Sequence, residues 1–385
     1  MDYLLTEEQK MIVDLTRRIV REKITPEVVS RYDETEEFPW EIIKILADAG
    51  LFGVYIPEEY GGMGGGIFEL SIVTEELSRA CGGIAICYAA TALGTYPILL
   101  FGNEEQKKKY LPPLAAGTKL AAFALTEPNA GSDAAGIQTT AKKEGNYYIL
   151  NGTKQWITNG GEAEVYTVIA MTDRAKGARG ATAFILEKGM EGFEFGKKEK
   201  KMGIRASATR ELIFNNCRVS EDRVLGKEGM GFIVAMKTFD ASRPGVAAQA
   251  LGIAQGALDD AISYARKRIQ FGKPIISFQA IQHMLADMAT QIEASRALIY
   301  AVARMIDSGA KDIAKESAMS KLFASDVAMR VTTDAVQIFG GYGYMREYPV
   351  EKRMRDAKIT QIYEGTNQIQ RNVIALQLIK EAAQK

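Results

Sequence analysis

The sequence predicts an α+β protein in which a helical segment, a β segment and a second helical segment follow one another. Three observations carry this. Apolar residues recur at helical spacing from residue 1 to about 120, and again from about 231 to 385. Between them, from about 121 to 230, short β-branched and aromatic runs alternate with turn residues. The 385 residues, 47% hydrophobic and 25% charged, suffice for two or three domains with a large core.

The first segment opens with TEEQKMIVDLTRRIVREKI, a charged helix. Leu46 and Leu51 close an amphipathic run, and Ile72, Val73, Glu76 and Leu77 begin another. The glycines of EEYGGMGGG at 58–66 do not match dinucleotide-loop spacing, and no strand-to-helix unit frames them, so they read as a flexible turn. In the middle segment YYIL (147–150), VYTVIA (165–170), ATAFIL (181–186) and ELIF (211–214) read as strands. They are separated by turns such as Glu144-Gly145-Asn146 and Asn151-Gly152, the pattern of an antiparallel barrel or sandwich. In the last segment Leu251, Ala254, Ala257, Leu258, Ala261, Ile262 and Ala265 mark one helical stripe, and Leu285, Met288 and Ile292 a second. Four or five such helices suggest a bundle, interrupted by QIFGGYGY (337–344) and IYEGTNQIQ (362–370).

Composition narrows the function classes. Lys plus Arg and Asp plus Glu number 48 each, so no long-range field of one sign draws the chain to nucleic acid or an anionic membrane. Cys81, Cys87 and Cys217 are too few and too irregular for a disulfide framework or a thiolate metal site, and read as small buried apolar residues in a reducing compartment. The opening residues lack the apolar core of a signal peptide and the acid-poor composition of a transit peptide, which points to the cytoplasm. No stretch approaches the roughly 20 uninterrupted apolar residues that span a bilayer, so no membrane insertion is expected. His283 is the sole histidine, which excludes two-histidine metal motifs; it reads as a structural residue on a helix, and no metal site is expected.

Several segments carry candidate chemistry. AFALTEPNAGSD offers Thr126, Ser132 and backbone amides around Gly and Pro, suited to a flavin edge or a phosphate, though also to a plain β-turn. In QWITNGG, Trp156 can lay its indole on a planar ring while Thr158 offers a hydroxyl to the ring edge; a buried core tryptophan is the equally weighted alternative. In RKRIQFGKP, Arg268 precedes Phe271 by three residues where a helix is expected to end at Gly272. The guanidinium there can meet a pyrophosphate with the ring covering an adenine or flavin, or it is a solvated helix end. Asp240 and Arg243, in FDASRPG at the expected start of a bundle helix, are an i, i+3 surface pair or a clamp on a nucleotide-bearing substrate; spacing alone does not choose. Glu364, between Tyr363 and Gly365 on the junction before a helix opened by Thr366, is the sharpest candidate. In an apolar pocket its pKa would rise towards that of a general base, whereas at a helix start it would simply stabilise the dipole.

ALTEPNAGSD, WITNGG, RIQFGKP, QIFGGYGY and IYEGTNQIQ occur in the same order and spacing as in the acyl-CoA dehydrogenase family, and the similarity covers essentially the whole chain. The sequence most resembles the short- and medium-chain, butyryl-CoA dehydrogenase-like branch. That resemblance implies an N-terminal helical domain (1–120), a middle β domain (121–230) and a C-terminal four-helix bundle (231–385). It also implies FAD, a homotetramer built as a dimer of dimers, an acyl-CoA substrate and an electron-transfer flavoprotein as electron acceptor. Glu364 becomes the base that removes the α-proton while the β-hydrogen leaves as hydride to flavin N5. The Glu364 backbone amide and the ribityl 2'-hydroxyl of FAD become the donors to the thioester oxygen. Phe123, Leu125, Thr126, Ser132, Trp156 and Thr158 map onto flavin contacts, with Thr366 and Gln368 completing the cofactor site. Arg268, Phe271, Gln337 and Gly341 resemble residues that reach the FAD of a neighbouring subunit. Asp240 and Arg243 match positions that hold the CoA portion, with Ser132, Tyr363 and Gly365 also on the substrate side.

Absences refine the branch. Isovaleryl- and long-chain-type members carry their base near Asp240–Arg243, where this sequence has Ser242. Glutaryl-type members use an arginine in the acyl pocket, but the stretch from Gly83 to Tyr96 has no charged residue, and a second carboxylate would be poorly held. The small residues Ala89, Ala90, Thr91, Ala92 and Gly94 leave room for a branched or cyclic acyl group, or serve helix packing. Two alternatives are a scaffold of the same fold that has lost catalysis, against which Glu364 and the neutral charge count, and an acyl-CoA oxidase, which usually carries a further C-terminal domain.

Overall fold

The computed structural model describes residues 3–384. Six helices open the chain: α1 (Glu7–Lys23), α2 (Pro26–Thr35), α3 (Trp40–Asp48), α4 (Ile67–Ala80), α5 (Gly82–Phe101) and α6 (Glu104–Ala115). Their starts are chemically marked. Thr6 and Gln9 form a reciprocal capping box on α1, Asn103 and Gln106 another on α6, and Thr25 precedes a proline at the first position of α2. The glycine cluster at 58–66 is a turn that feeds α4, whose first amides are capped from across the fold: Asp307 accepts from Ile67 and Phe68, both at 2.8 Å.

Helix α5 corrects one expectation. Its twenty residues are long and apolar enough to cross a membrane, with a mean hydropathy of 1.7 in the most apolar stretch, yet 72% of that stretch is buried inside the protein. Alternate apolar and small residues hide the length of such a run from a search for uninterrupted hydrophobes. The helix is apolar on all sides because it is covered on all sides.

The middle segment forms one sheet from β1 (Ala121–Ala124), β2 (Thr140–Glu144), β3 (Tyr147–Thr158), β4 (Val165–Met171), β5 (Ala181–Glu187), β6 (Phe193–Lys198), β7 (Thr209–Ser220) and β8 (Val224–Leu225). The order is β6-β7-β3-β2-β4-β5-β8, with β1 alongside β4. The four predicted runs lie in β3, β4, β5 and β7. Pairing is antiparallel apart from β1 and a single residue pair of β2, both parallel to β4.

The last segment holds α7 (Gly231–Lys267), a two-residue hairpin of β9 (Ile269–Gln270) and β10 (Lys273–Pro274), α8 (Gln279–Asp307), α9 (Ala314–Phe339), α10 (Pro349–Thr360) and α11 (Asn367–Ala382). Helix α7 runs for 37 residues through Pro244. Proline has no N–H to give the carbonyl four residues earlier, and the freed Asp240 oxygen is taken by the Ser317 hydroxyl of α9 at 2.6 Å. Cys81, Cys87 and Cys217 are free and buried, as expected; His283 is exposed on α8.

The sheet is fastened to α5 by Asn159, just past β3. Its fully buried side-chain amide donates to Cys87 O (3.0 Å), Thr91 Oγ1 (3.3 Å) and Ala121 O (3.4 Å), and its backbone is left-handed at φ +60°. Replacing Asn159 with Ala removes all three of those bonds between the sheet and α5 and puts a Cβ residue without a compensating side-chain bond in that conformation. The expected cost is about 2–3 kcal/mol of stability, read as a lower urea midpoint with an unchanged far-ultraviolet spectrum.

Candidate active site

Glu364 lies on the connection between α10 and α11, where two residues in succession are left-handed, Glu364 at φ +50° and Gly365 at φ +86°. Thr366 then caps α11, its hydroxyl accepting the Ile369 amide at 3.2 Å. The turn directs its carbonyls backwards into the bundle. Gln370 Nε2 donates to the oxygens of Glu364 (3.0 Å) and Gly365 (2.9 Å), and Lys321 Nζ donates to Gly365 O (2.8 Å) and Asn367 Oδ1 (2.9 Å). Among the described residues, the amides of Glu364 and Gly365 meet no protein acceptor. Only glycine serves at 365, since a Cβ there would meet Gln370 Nε2 at 2.7 Å on a backbone L side chains avoid.

The half-buried carboxylate of Glu364 faces a narrow apolar cavity. Ile86, Ala89, Ala90 and Leu93 present one helical face of α5, opposite Val246 of α7, and Tyr96 also borders the space. No Lys or Arg lines it, and its volume is about 20 Å³, little more than one water-sized sphere. Burial pushes the Glu364 carboxyl up. The hydrogen bond from Ser242, with the charges of Arg243 and Lys321, pulls it back, and the net direction is upward. Ser242 Oγ donates to Glu364 Oε2 at 2.7 Å. Tyr363 is held by its hydroxyl, which donates to Gln249 Oε1, while Gln249 Nε2 donates to Gly82 O at 3.0 Å.

Asp240 and Arg243 are neither at a helix start nor on the surface. They sit ten and thirteen residues into α7, buried, with Arg243 Nη1 donating to Asp240 Oδ1 at 3.2 Å. Burial raises the Asp240 carboxyl, while Arg243 and Lys237 oppose the shift. Arg243 Nε is buried with no acceptor. Helix α7 starts earlier than the expected start at FDASRPG, because a proline whose freed carbonyl finds Ser317 is tolerated inside a helix.

A second group lies where the sheet meets α7. Phe123, the third residue of β1, lies edge-on to Phe239, with centroids 5.5 Å apart. Leu125 is buried and Thr126 half-buried, their carbonyls accepting from Lys154 Nζ (2.9 Å) and Gln155 N (2.8 Å); Ser132 is exposed in the turn beyond. Lys154 is itself buried against Glu127 at 2.7 Å, and burial draws its ammonium down to about 8. Trp156 is not a core residue: it stands 59% exposed on a bulge of β3 with φ +58°, and Thr158 follows, half-buried. An uncovered indole on a backbone unfavourable for a bulky residue is a surface waiting for a planar ring, so these residues fit a flavin. Thr366 is committed to its cap, and Gln368 is exposed on α11.

The third group stands apart. Helix α7 ends at Lys267, earlier than expected, and Phe271 and Gly272 form the tip of the β9–β10 hairpin, with φ +51° and +76°. Phe271 is 92% exposed. Arg268 lies over the Tyr342 ring at 5.1 Å, which joins it to the loop of Gly341; Gln337 and Gly341 are exposed. Among the described residues, no side-chain hydrogen bond or ring contact links this group to Glu364 or Trp156. Sequence reasoning missed Ser242 as a partner of Glu364, and missed Gln249, Lys321 and Gln370 altogether. Only the lone lysine in the small-residue run ESAMSKLFASD hinted at one of them.

Removing the Ser242 hydroxyl takes away a bond that favours the charged carboxylate. In Ser242→Ala the Glu364 carboxyl should therefore titrate higher than in the parent, measured as the midpoint of its carboxyl infrared band.

Three family models match the chain: "Acyl-CoA dehydrogenase, N-terminal domain" at residues 6–118, "middle domain" at 122–217 and "C-terminal domain" at 229–379. Among solved structures, the chain is similar to butyryl-CoA dehydrogenase from Megasphaera elsdenii, with 51% identity, a TM-score of 0.96 and coverage of 98% of this chain and 100% of that one. It also resembles a chain in the structure described as "Electron transferring flavoprotein of Acidaminococcus fermentans: Towards a mechanism of flavin-based electron bifurcation", at 53% identity and a TM-score of 0.95, covering 98% and 99%. An acyl-CoA dehydrogenase complexed with FAD from Bacillus anthracis matches at 39% identity and a TM-score of 0.92, covering 99% of this chain and 69% of that one.

Proposed function

The chain belongs to the acyl-CoA dehydrogenase family, and from that premise we propose that it dehydrogenates a short monocarboxylic acyl-CoA to the 2-enoyl-CoA with Glu364 as base and electron-transfer flavoprotein as electron acceptor. One observation carries the reading: a single carboxylate, raised by burial, faces an apolar cavity free of cations. An acid on an unactivated carbon yields its proton only if the resulting enolate is stabilised. The unengaged Glu364 amide beside the carboxylate provides a donor for the thioester oxygen, while the carboxylate takes the α-proton. The FAD that this family employs supplies, when bound, the acceptor for the β-hydride; Trp156, Thr158, Leu125 and Thr126 are the residues suited to hold it. Arg243 has one buried N–H unused and, with Asp240, lies in the same helix as Ser242, which supports a role for the pair towards the substrate's polar portion.

The short chain follows from the cavity, which is narrow and bordered by Tyr96. Electron-transfer flavoprotein is supported by the likeness to a chain in an electron-bifurcating flavoprotein structure. A homotetramer is supported by the exposed Phe271 and by Phe323, Leu376 and Ile379 on the outer faces of α9 and α11. In such an assembly Arg268, Phe271, Gln337 and Gly341 reach the cofactor of a second copy. The three unpaired cysteines support a cytoplasmic setting.

Glu364→Gln keeps shape and hydrogen bonding but cannot accept a proton. Reduction of the bound flavin by butyryl-CoA should slow about 100-fold to 10,000-fold while FAD content and acyl-CoA binding persist; a rate within tenfold of the parent would assign the base elsewhere. Across a panel, butyryl-CoA and hexanoyl-CoA should exceed glutaryl-CoA in kcat/KM, because no cation in the cavity balances a distal carboxylate.

A further inference from the structure

Among the described residues Lys321 is the ammonium that bonds the Glu364 turn from behind, and nothing in the dehydrogenation chemistry requires it there. It is fully buried in α9 among Ser317, Ser320, Ala324 and Ser325. Its Nζ is clamped between Gly365 O at 2.8 Å and Asn367 Oδ1 at 2.9 Å. Asn367 is held in turn, its Nδ2 donating to Ser325 Oγ (2.9 Å) and Asp326 Oδ1 (2.7 Å). The cation thus grips the residue after the base and the first residue of the next helix, and those contacts hold the left-handed pair in place. A buried ammonium is expensive, and two neutral acceptors alone would be served as well by a neutral donor.

We propose that Lys321 is a positioning residue for proton abstraction: through the Gly365 carbonyl it holds the Glu364 turn, and through its charge it keeps the Glu364 carboxylate ionised inside an apolar site. The inference rests on Glu364 being the base. Four charged groups face this ammonium or its partner. Glu364 on the turn and Asp326 on α9 favour its protonated form, Arg243 of α7 opposes it, and Asp240 offsets Arg243. Burial outweighs them and draws the ammonium down to about 7. The sign for Glu364 follows. Its carboxyl lies above the usual range, and the Lys321 charge is one of the effects pulling it down. While Lys321 is protonated, Glu364 ionises at lower pH, and as pH rises through about 7 that support fades.

The test separates proton abstraction from hydride loss. The FAD-loaded enzyme is mixed in D2O with a 3-thia-acyl-CoA, whose β-carbon is replaced by sulfur, so that no hydride can leave and only α-proton exchange is read by NMR. In Lys321→Met, exchange at pH 7 should slow at least tenfold and its acidic limb should move to higher pH by half a unit or more, with FAD content and acyl-CoA Kd within about twofold. Lys321→Arg should return the limb towards the parent position. A Lys321→Met enzyme that exchanges within twofold of the parent, or one slowed equally at every pH with its limb unmoved, overturns the proposal. Should Lys321→Met not fold, Lys321→Gln takes its place under the same criteria. Glu364→Gln serves as the control. If that variant still exchanges, the assignment of the base fails; if it does not while the Lys321 variants behave as the parent, only the role of Lys321 fails.

Discussion

Helix α5 has protein against every face, and the placement of the site follows from how that burial is divided. One side meets the sheet closely enough that a Cβ at Gly94 would lie 2.5 Å from the Ala122 amide nitrogen. Asn159 locks the same side through Cys87 and Thr91. The other side meets α4 and α7, but Ala89 and Ala90 are too small to fill the groove, and a cavity remains. Gln249 joins the α5 start to Tyr363 and so fixes the Glu364 turn beside that cavity. A bulkier residue on the first side would part the sheet from the helix; one on the second would fill the space left for an acyl chain.

The carboxylate that closes the cavity is set by opposing effects of comparable size. Desolvation favours the acid form of Glu364, and a base that never ionised would be inert. Ser242, Arg243 and Lys321 each restore some of the charged form from a different helix or face. Full neutralisation would be equally unhelpful, since a carboxylate with its usual pKa is a weak base towards a carbon acid. The intermediate position is reached because Arg243 is shared with Asp240 and because burial weakens the Lys321 charge itself.

Much of the fold was legible because the pattern is local: periodicity of 3.6, then 2, then 3.6 again, with turn residues between. The place of Glu364 on a junction was legible for a similar reason, since a carboxylate between an aromatic and Gly-Thr can hardly sit inside a helix, whereas its role as base was implied only by the family resemblance. What misled was also local. FDASRPG looked like the start of a helix, and only Ser317, 73 residues on from Pro244, makes the proline tolerable inside α7. Phe271 looked like the end of a helix because an aromatic at a left-handed hairpin tip has no propensity to announce it. Ser242, Lys321 and Gln370 stayed hidden because each acts on the Glu364 turn from a distance in sequence or by a geometry that no spacing rule encodes.

The backbone itself marks the site a second time. Few residues other than glycine are left-handed here, and Trp156, Phe271 and Glu364 are among them. None is of a type that relieves such a conformation by bonding to its own backbone, as Asn159 or Asn216 can. Conformations of this kind cost of order 1–3 kcal/mol each and persist only where surrounding structure imposes them. At Glu364 the enforcing groups are visible in Gln370 and Lys321; at Trp156 it is the bulge between β3 and β7. In each case the result is a side chain turned out of the regular element that carries it: an indole away from the sheet, a phenyl ring away from the hairpin, a carboxylate into the cavity. Residues that propensity alone would place elsewhere are held where a flavin and an acyl thioester can meet them.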